Sequence, residues 1–160
     1  MAKKQKPKGD ANTIAVNRRA RFDYSIGDTY ECGLVLQGTE VKSLRAGKAS
    51  IAHAFATVRE GELWLYAAEI AEYEFGNRNN HEPQRRRKLL ANRSEIKRME
   101  SFTQEQGRTL VPLKLYWNEG KAKILIGEGV GKTTVDKRQD AAAKTAKREM
   151  DRALRARGRV

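Results

Sequence analysis

"TLVPLKLYWNEGKAKILIG", Thr109 to Gly127, decides how this chain folds. Leu113, Leu115 and Trp117 alternate with Lys114 and Tyr116, and a second run rich in apolar residues follows "NEG". Successive strand side chains point to opposite faces, so the pattern predicts an antiparallel hairpin with one face turned inward. The stretch "HAFATVREGELWLYAAEI", residues 53–70, repeats the design around Glu60-Gly61, where glycine tolerates the positive φ of a tight turn. Upstream, "DYSIGDTYECGLVL", residues 23–36, is β-rich and broken at Gly27.

Helices fill in around these strands. "QGTEVKSLRAGK" spaces Val41 and Leu44 three apart before a Gly-Lys stop, which predicts a short helix. After Pro83, Leu89, Ile96 and Met99 line one face of a second predicted helix ending at Gly107. Residues 71–85 read as a polar loop. Strands joined by hairpins favour a mainly β fold, and about six of them close most economically into a small antiparallel barrel of OB type with two or three helices, since closure leaves no edge unpaired. An open α+β sheet is the alternative. Residues 1–12, polar with Pro7 and Gly9, are expected to be disordered, 13–130 to form the barrel, and 131–160 to be a basic tail.

The net charge is +13, and its distribution matters more than its size. Residues 1–21 carry seven Lys/Arg against one acid, and 132–160 carry ten against four. The intervening body is nearly neutral, yet Arg78–Arg98 holds eight basic residues against two acids. Three basic segments point to a polyanion, and nucleic acid is the usual one, because each phosphate contact releases condensed counterions. A membrane surface is disfavoured: the tail offers only Ala143, Ala146, Met150, Ala153 and Leu154 on its apolar side. No apolar run approaches the roughly 18 residues of a membrane span, and the N-terminus has no signal-like apolar core, so a cytoplasmic monomer is expected.

Catalytic chemistry has little to work with. His53, His81 and the lone Cys32 are the only side chains titrating near neutrality, too few for a Cys/His metal cluster. His81-Glu82 lacks the second histidine of a zinc-protease motif, Cys32 reads as a small buried side chain, and the acids from Glu60 to Glu74 read as a solvated face. "ILIGEGVGKTT", Ile124–Thr134, imitates a phosphate-binding loop, but five positions before Gly131 stands Ile126 and not glycine. The backbone N–H cradle of that motif needs the missing spacing. No enzyme activity and no cofactor are expected.

"GLVLQGTEVKSLRAGKASI" (33–51) and "HEPQRRRKLLANRSEI" (81–96) together resemble the SsrA-binding protein family, small protein B, which binds transfer-messenger RNA and rescues stalled bacterial ribosomes. "NRRARFDYSIGDTYECG" (17–33), "GRTLVPLKLYW" (107–117) and "GKTTVDKR" (131–138) follow the family's order, so the resemblance covers most of the chain. It implies an OB-type barrel that holds the tRNA-like domain of transfer-messenger RNA. It also implies a C-terminal tail that enters the decoding site of the small ribosomal subunit and becomes helical along the empty mRNA path. By position, it implies RNA contacts at Asn17, Arg18, Arg19, Glu31, Lys42, Arg45, Arg85, Arg87, Lys88, Leu90, Asn92, Arg93 and Lys123. In the tail it implies ribosome contacts at Gly131, Lys132, Asp136, Lys137, Arg138, Lys144, Lys147, Arg148 and Arg152. Thr133 and Val135 depart from the family's usual Lys and aromatic or histidine, Ala91 from its third Leu, and Ala141-Ala142 from a large apolar residue followed by Lys. Alanine favours helix while removing contact area, so this tail should lean on helix propensity and charge. The alternative function is a less specific OB-type protein that binds single-stranded or ribosomal RNA by stacking on Trp64, Tyr66, Tyr116 and Trp117.

Overall fold

The computed structural model describes residues 12–76, 78 and 80–158. The expected N-terminal disorder falls on residues 1–11, outside the described residues; Asn12 is described, and its carbonyl accepts the Trp117 N–H at 2.7 Å. In chain order the elements are β1 (Thr13–Val16), α1 (Ala20–Asp23), β2 (Tyr24–Leu34), α2 (Gly38–Arg45), β3 (Ala49–Ser50), β4 (Phe55–Arg59), β5 (Glu62–Tyr66), β6 (Glu69–Ile70), β7 (Arg87–Leu90), α3 (Arg93–Thr103), β8 (Arg108–Asn118), β9 (Lys121–Gly131) and α4 (Thr134–Arg157). The fold is mainly β, with four helices among the described residues where two or three were expected.

Both predicted hairpins form, and their turns explain why. In β4–β5 the turn residues Glu60 and Gly61 have φ of 51° and 75°, and in β8–β9 Glu119 and Gly120 have 50° and 75°. Two successive positive φ values make the turn whose twist matches that of the flanking strands. From β8 the antiparallel pairings run through β4, β5, β7, β2 and β9 and return to β8, a circuit of six strands that an open sheet cannot make. β1 adds to β8 outside the circuit, and β3 pairs with β6 separately.

The chain between Pro83 and Gly107 departs from the single helix its apolar spacing predicts. Residues 87–90 form β7, and only Arg93–Thr103 is helical. Leu89 is paired with Leu63 of β5 and Leu34 of β2 and is buried in the core, so closing the circuit requires a strand here. Strand pairing on both sides outweighs a helical spacing shared by three residues. Ile96 and Met99 do lie on α3 and pack into the core.

A second departure sits in the opening hairpin. The β8–β9 register slips between Pro112 and Lys114, leaving Leu113 as an extra residue. A bulge of one residue reverses which side chains face inward. Leu110 and Leu115 therefore belong to the main core, whereas Val111 and Leu113 pack with Ala20 in a smaller cluster under α1.

The glycines that imitate a phosphate loop lie within β9. A Cβ at Gly127 would sit 2.9 Å from Ile26 Cγ2 and 3.0 Å from Leu113 Cδ1, and one at Gly129 would sit 3.1 Å from both Tyr24 Cβ and Val111 Cγ2. Their lack of side chains lets β2 and β8 approach closely, and the segment is extended strand, so it cannot wrap phosphates. No described helix is long and apolar enough to cross a membrane.

Candidate nucleic-acid interface

Three of the sequence-nominated residues converge on Gly33. In the three adjacent strands β7, β2 and β9, Gly33 is paired with Leu90 on one side and Lys123 on the other. A Cβ there would lie 3.4 Å from Leu90 Cβ and 3.7 Å from Lys123 Nζ, so the glycine leaves a shallow opening between an alkyl and an ammonium group. Leu90 is 53% exposed, a large apolar side chain that the core does not claim. Two residues along β2 from Gly33, on the same outward face, Glu31 accepts a hydrogen bond from the Tyr116 hydroxyl. Burial and the Glu31 carboxylate push the Tyr116 hydroxyl well above its ordinary value, so it remains a donor. The sequence suggests only stacking for Tyr116; its part in orienting Glu31 depends on the β8–β9 and β2–β9 pairings.

Asn92 and Arg93 extend this face. Asn92 sits at the N-terminus of α3, where its carbonyl accepts the Ile96 N–H, and its side chain makes no capping bond. Both residues are exposed. Lys88, one strand position from Leu89, points outward and pairs with Glu62 at 2.9 Å. Lys42 and Arg45 are exposed on α2, with the Lys42 ammonium 5.2 Å from the Tyr73 ring centre.

Arg87 is a correction. Its side chain is fully buried: Nε donates to Glu40, Nη1 to the Ala68 carbonyl at 2.7 Å and Nη2 to the Pro83 carbonyl at 3.0 Å. Each of its three guanidinium nitrogens is bonded inside the fold, so its side chain is not part of the exposed face. Arg85 shares Glu40, donating through Nη2, and its side chain is 30% exposed. Burial alone would raise the Glu40 carboxyl, but hydrogen bonds from Arg85, the Gln37 N–H and Arg87 hold it below the usual carboxylate range. Asn17 is also inside, with its amide donating to the Pro112 carbonyl at 3.1 Å. His81, against Thr39 at the start of α2, is buried too, with Nε2 donating to the Ile70 carbonyl at 2.8 Å and Nδ1 2.9 Å from the Thr39 hydroxyl. Sequence reasoning missed Glu40, whose only local signal is its place three residues after Gln37 in a capping box. Cys32 is buried as expected, and burial pushes its thiol up to about 12.

Comparison with known proteins places this architecture. Residues 14–156 match the family described as SmpB protein. The chain belongs to that family. Among relatives, the SsrA-binding protein of Thermobifida fusca (strain YX) is 56% identical over 156 residues, covering 97% of this chain and 98% of the relative. That of Bacillus subtilis (strain 168) is 50% identical over 149 residues, covering 93% and 96%. A chain from the solved structure "tmRNA-SmpB: a journey to the center of the bacterial ribosome" superposes with a TM-score of 0.64 at 48% identity, covering 78% of this chain and 91% of that one.

In this SmpB family member the tail residues lie at the other end of the β2–β9 ladder. β9 ends at Gly131, opposite Tyr24, and α4 begins at Thr134. Thr133, one of the departures from the family pattern, is the N-cap: its hydroxyl accepts the Asp136 N–H at 3.2 Å while the Asp136 side chain reaches back to the Thr133 N–H at 3.3 Å. Lys132 donates to the Arg21 carbonyl at 2.9 Å and pairs with Asp140, and Lys137 pairs with Asp23 at 3.2 Å. Arg18 and Arg19 are exposed just before α1, and Arg19 lies 3.9 Å from Asp23. Beyond this root α4 is nearly all exposed, Val135, Met150 and Leu154 included. Lys144, Lys147, Arg148 and Arg152 recur at three- and four-residue spacing, a solvent-facing basic stripe.

Proposed function

We propose that this chain is the RNA-binding adaptor of ribosome rescue: it holds the tRNA-like domain of transfer-messenger RNA and brings it to stalled ribosomes. The observation that carries the reading is the convergence of Glu31, Leu90 and Lys123 around Gly33, with Asn92 and Arg93 beside them. Such a face offers an acceptor for base edges or 2′-hydroxyls, an apolar contact and cations for phosphates, the mixture that reads unpaired RNA. The circuit of six strands supports an OB-type barrel over residues 13–130 as the reader. Lys42, Arg45 and Lys88 serve as phosphate contacts at its margin, and Arg18 and Arg19 do so beside the tail. The segment 131–160 then serves the small subunit, with Gly131, Lys132, Asp136, Lys137 and Arg138 at the decoding site and the α4 stripe along the mRNA path. In this reading the protein acts in the cytoplasm as a monomer, without cofactor or catalysis.

A second reading, a generic single-strand binder, draws support from the outer face of β4–β5, where Phe55 stacks on Tyr66 at 5.5 Å and is 45% exposed. Binding of the full chain, and of a version ending at Lys132, to a tRNA-like fragment and to an unrelated hairpin of equal length separates the two. Similar preference for the tRNA-like fragment by both versions at near-physiological salt supports the adaptor. Equal binding to both RNAs, with a steep salt slope and loss on truncation, supports the generic binder.

A further inference from the structure

The root of α4 and the rest of its length carry their cations differently. Lys132, with a side chain only 17% exposed, donates to the Arg21 carbonyl at 2.9 Å and pairs with Asp140. Lys137 lies 3.2 Å from Asp23 Oδ1 and 5.7 Å from the Phe22 ring centre. The Asp23 carbonyl also accepts the Lys132 N–H at 3.0 Å, so this one residue of α1 holds the tail through both backbone and side chain. Further along, Lys144, Lys147, Arg148 and Arg152 are exposed, and among the described residues none of them forms an ion pair.

Asp23 stands between cations of the body and of the tail. Its Oδ1 meets Lys137, and its Oδ2 lies 3.9 Å from Arg19 Nε. Ammonium and guanidinium groups bind carboxylates and phosphates through the same charge-assisted hydrogen bonds, so an RNA phosphate could take the place of this carboxylate. We propose that Asp23 and Asp140 form an autoinhibitory latch: their carboxylates occupy the places of RNA phosphates on Lys137 and Lys132 and are displaced when the tail engages RNA. The inference rests on the proposed role of the tail and adds a closed state to it. An exposed ion pair shifts an equilibrium by about fivefold at most, so the two pairs make a latch that many phosphate contacts can open. While it is closed, α4 keeps one direction and the root lysines are neutralised. Displacing the carboxylates frees the helix to turn.

The test uses the full chain, with Asp23→Asn/Asp140→Asn as the unlatched variant and Glu149→Gln/Asp151→Asn as its control. The control removes as many negative charges, from exposed positions of α4 that form no ion pair among the described residues. Each protein is titrated with small ribosomal subunits and with an unrelated RNA hairpin. Spin labels on Glu100→Cys and Ala153→Cys, both exposed positions, report the direction of α4, while the buried Cys32 stays unlabelled. The unlatched variant should bind the subunits about three- to tenfold more tightly than the control does. Its label distances should spread over a wider range, as should those of the unaltered chain at about 1 M salt, where the pairs are screened. Binding no tighter than that of the control, or label distances that neither the variant nor salt alters, overturns the latch and leaves the adaptor reading standing. If the unaltered chain shows no preference for the subunits over the hairpin, the adaptor reading fails instead, and the latch is decided by the label distances and by the same comparison on the hairpin.

Discussion

At one end of the β2–β9 ladder Gly33 lies between Leu90 and Lys123; at the other, Tyr24 is paired with Gly131 and α4 departs. About nine residues of strand, roughly 30 Å of chain path, separate them. The first end is assembled from three strands of the closed circuit, so strand pairing on both sides of β2 fixes the backbone positions from which its side chains project. The second is held by a local cap and by ion pairs in which Lys137 and Asp23 keep 34% and 32% side-chain exposure. Exposed pairs contribute little and are screened by salt. Under the proposed function, the first end would read the shape of one RNA and the weakly moored helix would find its place in another.

The largest expected effect tests whether the rigid end rests on its buried ion cluster. Glu40→Gln should destabilise the body by about 3–5 kcal/mol in urea titration, because Arg87 is left buried without its charge partner. Helicity of α4 should survive that change up to the point of global unfolding. The pH dependence has a definite sign: the Glu40 carboxyl is depressed in the folded state, so its contribution is fully present above the unfolded value of about 4.3 and is lost as pH falls through the lower folded value. Urea midpoints of the unaltered chain should therefore drop below about pH 4.3, and those of Glu40→Gln should drop less.

Next, Gly127→Val should cost about 1–3 kcal/mol through overpacking against Ile26 and Leu113. Unchanged stability would mean that β9 is looser than its contacts indicate. Lys123→Ala should leave urea stability within about 0.5 kcal/mol, since its side chain carries no core packing. It should nevertheless weaken the tRNA-like fragment about tenfold, or roughly 1.4 kcal/mol, in a binding titration. At the tail, Thr133→Ala should lower α4 stability by about 1 kcal/mol by amide exchange while the body keeps its midpoint. Asp23→Asn comes last, costing on the order of 0.2–1 kcal/mol and freeing Lys137, an effect that should vanish at high salt. If the last two shifted the Gly33 face as well, the two ends would be coupled and the contrast between them would fail.

How far the residues alone could be read follows the reach of the interactions concerned. Both hairpins, the short helix α2 and the basic ends were legible, because turn φ values, periodicity and charge are properties of neighbouring residues. The candidate site is legible only through family resemblance, which points to Glu31, Leu90 and Lys123 without showing that they meet. Arg87 and Leu90 look alike in "RRRKLLANR" as members of a basic, apolar run, yet one is buried and the other half exposed. Their burial depends on which strands flank β7.

By itself, then, the sequence determined the antiparallel strand content, the tight turns at Glu60-Gly61 and Glu119-Gly120, the two charged extremes and the family. Tertiary structure alone decided that residues 87–90 are a strand, that the bulge turns Leu113 away from the main core, that Arg87 belongs to Glu40, and that Tyr116 orients Glu31. The reason is range: backbone preference is settled within a few residues, whereas strand register, inward parity and the desolvation of a charge are settled by partners tens of residues away, whose positions exist only once the circuit closes.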